Sequence, residues 1–107
     1  LKNWNYGNAT HKISIIEGRM ALRDGKIGDA KMFLFDAGKT QGSPQLNSFG
    51  PNMSLAKELL VKGEKKAVLE YFDLCSLFWE NDYGKLDKWT NEVQNDKLPE
   101  FGANIIH

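Results

Sequence analysis

The sequence is poor in several residue types, and each shortage excludes a class of protein. Among 107 residues Cys75 is the only cysteine, which excludes an internal disulfide and a zinc site built from several thiolates of one chain. Lys plus Arg and Asp plus Glu each number 14, so the basic excess of a nucleic-acid-binding domain is missing. The longest apolar run, around residues 67–79, is interrupted by Glu70 and Asp73 and is too short to span a bilayer. We therefore expect neither nucleic acid nor a membrane as a partner.

The remaining composition is that of an ordinary globular domain. Hydrophobic residues make up 41% of the chain and charged residues 26%, so residues 1–107 are expected to form a single folded domain. The N-terminus does not resemble a signal peptide, and we expect a cytoplasmic location. Because the chain opens at Leu1 rather than Met, we also expect it to be a processed chain or a part of a longer protein, in which it would be an accessory domain.

Apolar residues at helical spacing predict five helices, and no segment has the alternation of a half-buried strand. The first four are expected at residues 9–24, 27–37, 51–62 and 64–80, and the fifth around residues 86–93. Gly25 and Gly63 end the first and third helices, Gly38 closes the second, and Pro51 suits the first position of the third. Short connections make each helix pair antiparallel. The predicted fold is all-α, with two antiparallel helical hairpins.

The C-terminal part is expected to cover the second hairpin. The fifth helix is polar on its outer face, as a terminal capping helix is. Pro99 and Gly102 interrupt regular helix, while Phe101, Ile105 and Ile106 are too apolar to remain in water. We expect an extended tail packed against the helices; in a more specific version of this idea, the tail binds in a groove of its own chain or of a neighbouring copy.

An offset of 38 residues superimposes the two hairpins. Gly18 then coincides with Ala56, and Gly25 with Gly63. The other coincident pairs are Ala21 and Leu59, Leu22 and Leu60, Ala30 and Val68, Leu34 and Phe72, and Ala37 and Cys75. Small residues at Gly18 and Ala56 would let the helices of a hairpin approach closely, facing Ala30 and Val68. The sequence thus predicts one packing plan used twice.

This pattern resembles the tetratricopeptide repeat, whose second helix carries small and aromatic residues four apart. The matching pairs are Ala30 with Leu34 and Val68 with Phe72, although Ser14 and Asn52 stand where the signature has tryptophan. The segments GSPQLNSFGPNMSLAKELL, EYFDLC and LPEFGANIIH are also similar to a family of uncharacterised bacterial proteins with a tetratricopeptide-like domain. Two hairpins are fewer than the three repeats that solenoids generally need, so the cap, the tail or a homodimer would supply the missing stability.

The resemblance implies a non-catalytic module that binds a protein or peptide partner along the first helix of each hairpin. That face would present Ile15, Ile16, Arg19, Arg23, Met53, Lys57 and Leu60. Arg19 and Arg23 lie one turn apart, and a pair of guanidinium groups suits a carboxylate-bearing peptide. The competing interpretation is a solvated charged surface without a ligand.

A second hypothesis places a site for a small ligand or an anion in the loop from Ser43 to Asn52. In this hypothesis the site could also be catalytic. Backbone amides at the start of the third helix would hold the anion, with polar contacts from Asn47, Ser48 and Asn52. In the alternative, Asn47 and Ser48 satisfy the backbone of the loop itself and Phe49 anchors it in the core, while Asn52 caps the start of a helix. We expect no metal and no cofactor, because His11 and His107 form no ligand motif and Cys75 lies in the most apolar helix.

Overall fold

A computed structural model describes residues 6–39, 46–47 and 50–105 of the chain. Five α-helices and one short 3-10 helix have both ends within these residues. We number the helices α1 to α5; they span Tyr6–Arg23, Ile27–Gly38, Ser54–Val61, Lys65–Cys75 and Lys85–Gln94, and the 3-10 helix spans Gly102–Ile105. The described residues contain no β-strand. The all-α prediction is therefore confirmed.

The connections between α1 and α2 and between α3 and α4 have the same backbone geometry. Gly25 and Gly63 have φ angles of 76° and 85°, a left-handed conformation that glycine adopts without steric cost. In the first connection the amide of Gly25 bonds the carbonyl of Leu22 and that of Lys26 bonds Ala21. Each bond recurs 38 residues later, from Gly63 to Leu60 and from Glu64 to Leu59. Both turns are Schellman caps, and the offset predicted from the sequence is present in their hydrogen bonds.

The core lies where the two helix pairs meet. Helix α2 contacts α4, α1 contacts α3, and α5 contacts α4. The buried positions of α2 and α4 include the predicted equivalents Ala30 and Val68, Leu34 and Phe72, and Ala37 and Cys75. Gly18 is buried as expected, but the nearest side chains to a Cβ built on it are Leu55 of α3 and Phe33 of α2, not Ala30. The close approach thus involves three helices rather than two.

Three predicted helix boundaries are wrong by three or more residues. Helix α1 begins at Tyr6 instead of residue 9. Helix α3 begins at Ser54 instead of Pro51. The carbonyls of Pro51 and Asn52, which would accept the first bonds of a longer helix, accept instead from the Asn104 side chain and the Tyr71 hydroxyl. Helix α4 ends at Cys75 instead of residue 80, and residues 76–78 form tight turns that place Phe78 and Trp79 in the core. Gly50, with φ 90°, lies directly against the Trp79 ring, so this loop and the end of α4 interlock.

The tail packs on the helices as predicted, but its last described part is helical rather than extended. The Phe101 ring meets Trp89 at 4.9 Å between centroids and Phe72 at 6.3 Å. The Asn104 side chain donates to the Pro51 carbonyl at 3.1 Å, and the Asn104 carbonyl accepts from the Met53 amide at 2.8 Å. The tail therefore connects α4 and α5 to the segment that precedes α3. Ile106 lies outside the described residues.

Candidate functional site

A groove of about 550 Å³ lies between α1 and α3. This volume is in the range of sites that bind small molecules or peptide side chains. Its lining residues are Arg19, Leu22, Arg23, Ser54, Lys57, Glu58, Val61, Lys62 and Ile105. The two helices that form its walls pack against each other through Gly18 of α1 and Leu55 of α3.

The lining carries four cations and one carboxylate. Arg19 Nε donates to Glu58 Oε2 at 2.9 Å, and both side chains are about one-third exposed, so this ion pair stabilises the fold by roughly 1 kcal/mol at most. Arg23 and Lys57 are exposed, and neither forms a salt bridge with a described residue. The groove therefore retains a net positive charge toward solvent.

Apolar groups line the remaining surface of the groove. Leu22 is buried at its base, Val61 is 70% exposed at its rim, and Ile105 comes from the 3-10 helix of the tail. An arrangement of cations around apolar contacts can bind a ligand that has both acidic and hydrophobic groups.

The structure brings together only part of the predicted peptide face. Arg19, Arg23 and Lys57 line the groove, and Ile16 is exposed on the adjacent surface of α1. Three other predicted residues do not line the groove. Ile15 and Met53 lie in the core at 3% and 0% exposure. Leu60 lines a separate pocket of about 300 Å³ beside Val93 and Leu98.

The burial of Ile15 has a physical reason, which is the rotation of α1 about its axis. The inward face of α1 contains His11, Ile15, Gly18 and Leu22, so Ile15 cannot point outward with Arg19 and Arg23. Sequence reasoning also missed Val61 and Ile105. Helical spacing could have found Val61, which lies one turn after Lys57, whereas no local pattern places Ile105 beside α1 and α3.

The alternative site in the loop of residues 43–52 is not supported by Asn52. Its Oδ1 accepts bonds from both the amide and the hydroxyl of Ser54, and its carbonyl accepts from the Tyr71 hydroxyl at 2.8 Å. The Asn52 side chain is thus bonded within the fold. The carbonyl of Asn47 accepts bonds from the amides of Glu80 and Asn81. Ser43 and Ser48 lie outside the described residues.

His11 is buried at the centre of the same hydrogen-bond network. Its Nδ1 donates to the Ala37 carbonyl at 3.0 Å, and its Nε2 accepts from the Asn52 amide at 2.8 Å, which requires the neutral ring protonated at Nδ1. Burial, together with the charge of Lys12, lowers the pKa of His11 below its ordinary value of 6.5. His11 therefore joins α1 to the end of α2 and to the segment before α3.

Two further observations limit the chemistry of the described residues. Burial raises the pKa of the Cys75 thiol far above its ordinary value, which keeps it protonated and unreactive, in agreement with its assignment as a packing residue. Within the described ranges no group of three or more His, Cys, Asp or Glu side chains could hold a metal ion. No helix in the described part is both long and apolar enough to cross a membrane.

Comparison of the chain with protein-family models, with curated proteins and with solved structures finds no match, so the groove itself is the basis for a functional assignment.

Proposed function

We propose that the protein is a non-catalytic interaction module that binds a peptide segment, from a partner protein or from another part of a longer polypeptide, in the groove between α1 and α3. The observation that carries this proposal is the convergence of Arg19, Arg23 and Lys57 on one groove with apolar contacts at its base and rim. The resemblance to tetratricopeptide domains supports the same surface, because those domains use the first helix of each hairpin.

The charge balance favours an acidic segment. Four cations face one carboxylate, and the ends of α1 and α3 each add the equivalent of roughly half a negative charge. The Schellman caps partly screen these helix ends by covering their carbonyl groups. The net charge of the groove, with the helix ends included, stays positive. The groove therefore attracts a segment with Glu or Asp side chains and repels a basic segment.

Hydrophobic contact would supply the remaining affinity. Val61 is 70% exposed at the rim, so an apolar side chain bound there removes its surface from water as well as that of the ligand. The proposed ligand is therefore a short peptide with acidic residues next to a Leu, Ile or Phe.

The proposal can be tested by selecting binders from a displayed library of random peptides. We expect the selected peptides to be acidic, and we expect Arg23→Glu with Lys57→Glu to lower their affinity at least about tenfold, since two charge-assisted contacts become repulsive. The affinity of synthetic copies of the selected peptides is measured by fluorescence anisotropy.

The matched control is Lys66→Glu with Lys88→Glu. Both lysines are exposed, on α4 and α5, and the pair changes the net charge by the same amount without touching the groove. Binding that is retained in the control and lost in the groove variant supports the proposal. If no selected peptide depends on Arg23 and Lys57, the proposal is wrong.

A further inference from the structure

The outward face of α1 carries an apolar stripe whose side chains are more than half exposed in the described chain. Ile13, Ile16 and Met20 are 55%, 57% and 58% exposed. Their spacing of three and four residues aligns them along one side of the helix. This side lies opposite the buried face that contains His11 and Gly18, so another helix can approach it without meeting the core.

Charges of opposite sign flank this stripe. Lys12 and Arg19 lie seven residues apart on one flank, next to the groove, whereas Glu17 and Asp24 lie seven residues apart on the other. In the nomenclature of coiled coils, Ile13 and Met20 occupy a positions and Ile16 a d position. The two cations then occupy g positions, and the two carboxylates occupy e positions.

We propose that the stripe is a dimer interface, in which α1 of a second copy of this chain packs parallel to it about a two-fold axis. In a parallel pair each g residue faces the e residue five positions later in the other helix. Lys12 then faces Glu17 of the partner subunit, and Arg19 faces Asp24 of the partner subunit. The symmetry repeats both attractive pairs, which gives four across the interface.

The same charges disfavour the antiparallel arrangement. When two identical helices pack antiparallel about a two-fold axis, g residues face g residues and e residues face e residues. Lys12 would then lie near Arg19 of the partner subunit, and Glu17 would lie near the carboxylates at the e positions of the partner subunit. Both contacts join like charges. The interface therefore specifies the relative direction of the two copies, not only their association.

The dimer interface is distinct from the peptide groove, although the two adjoin. The groove is lined mainly by α3 and by the inner flank of α1, and none of the three stripe residues lines it. Arg19 borders both surfaces; it uses Nε for Glu58, which leaves its terminal guanidinium donors available to a second carboxylate. Arg23, at the next d position, also lines the groove. Lys12 and Glu17 do not line it, so substitutions at these two residues can abolish dimer formation without changing a groove residue.

The first test measures self-association by sedimentation equilibrium. Helix α1 has 18 residues and is about 27 Å long, so we expect a weak dimer, with a dissociation constant on the order of micromolar. Glu17→Lys alone and Lys12→Glu alone should each raise the constant about tenfold or more, because each change places two like-charged pairs across the interface. The double variant Lys12→Glu with Glu17→Lys restores the pairs with reversed sign and should recover the affinity.

Lys66→Glu, an exposed substitution on α4, is the control and should leave the constant unchanged. A protein that is monomeric at all concentrations up to about millimolar would overturn the proposal. So would a dimer whose affinity is not recovered by the charge exchange. All substituted side chains are exposed, and an unchanged helical circular dichroism signal verifies that each variant is folded.

The second test determines helix direction by disulfide formation. Parallel packing brings the two copies of position 13 together, so Ile13→Cys should cross-link with itself under mild oxidation. Antiparallel packing about the middle of the stripe would instead link an Ile13→Cys chain to a Met20→Cys chain. Cys75 is fully buried and does not compete. Preferential formation of the mixed disulfide would show that the helices run antiparallel and that the charge argument is wrong.

Discussion

At the scale of single residues, His11 fixes the position of three segments with two hydrogen bonds. One ring nitrogen donates to the end of α2, and the other accepts from the segment that leads into α3. Asn52, which supplies the second bond, also accepts from Ser54 at the base of the groove. A neutral imidazole at 1% exposure thus positions one wall of the proposed binding site.

This arrangement predicts that stability decreases as the pH falls below 6.5. The pKa of His11 is lower in the folded protein than the ordinary value of 6.5 expected in the unfolded chain. The unfolded state therefore takes up a proton first as the pH falls. The contribution of neutral His11 to the free energy of unfolding is fully present above pH 6.5 and is lost as the pH falls below it. The free energy of unfolding then changes by at most about 1.4 kcal/mol per pH unit. Urea unfolding from about pH 7.5 to about pH 5.5 measures this slope.

His11→Gln is the matched control for this effect. The variant should be less stable at every pH, since an amide cannot reproduce both ring hydrogen bonds, but it has no group that titrates at this position. Its stability should change less between the two ends of the pH range. An equal slope in both proteins would assign the pH dependence to other groups.

At the scale of helices, Gly18 sets the distance between α1 and its neighbours. A Cβ built on Gly18 would clash with Leu55 Cδ2 and lie 3.1 Å from Phe33 Cβ. Leu55 is fully buried, and moving its side chain aside in a close-packed core costs free energy. The groove between α1 and α3 opens on the opposite side of this contact, and its width depends on the close approach.

Gly18→Ala should therefore destabilise the protein by about 1–3 kcal/mol, even though alanine favours helix by up to about 1 kcal/mol. Gly28→Ala is the matched control: it is also helical, its Cβ would meet nothing within 4 Å, and it should be neutral or stabilising. Chemical denaturation of both variants measures the difference.

A double-mutant cycle with Leu55→Ala tests the cause. Leu55→Ala alone creates a cavity and should cost about 2–5 kcal/mol, whereas in that background the extra methyl group at position 18 should be tolerated. Additive effects of the two substitutions would mean that Gly18 and Leu55 do not oppose each other in the core.

At the scale of the whole molecule, the tail closes the fold. Phe101 and Asn104 connect α4 and α5 with the segment before α3, and the Asn104 side chain bonds to a carbonyl 53 residues earlier in the chain. The outer side of α4 carries buried aromatic side chains that need a covering layer. Here α5 and the tail cover it with a cluster of aromatic rings, formed by Phe72, Trp79, Trp89 and Phe101.

Phe101→Ala should cost about 3–5 kcal/mol, because it removes a ring that is 2% exposed and leaves a cavity between Phe72 and Trp89. For a domain of this size such a loss is a large part of the total stability. Thermal unfolding followed by circular dichroism measures it. Leu98→Ala, at a site 51% exposed, should change stability by no more than about 0.5 kcal/mol; similar losses in both variants would contradict a specific role for Phe101.

Residue patterns in the sequence were sufficient to predict those helix ends that are determined by residues nearby in the chain. Glycines 25 and 63 mark the ends of α1 and α3 because only their left-handed backbone completes a Schellman cap. The predicted bounds of α2 and α5 agree with the structure for the same kind of reason: turns flank both helices, and apolar side chains recur at helical spacing within them. The starts of α1 and α3 and the end of α4 were predicted wrongly. For α3 and α4 the contacts come from distant parts of the chain: Asn104 and Tyr71 bond to the carbonyls before α3, and Gly50 packs against Trp79 beyond the end of α4.

The sequence by itself determined the all-α class, the 38-residue offset between the helix pairs and the pair of arginines one turn apart on α1, because each depends on residues close in the chain. Only the tertiary structure decided which side of α1 faces the core. That rotation buries Ile15, opens a groove beside Arg19 and Arg23, and leaves Ile13, Ile16 and Met20 exposed. It is set by the close packing of Gly18 against Leu55 and Phe33, contacts whose partners no local periodicity identifies.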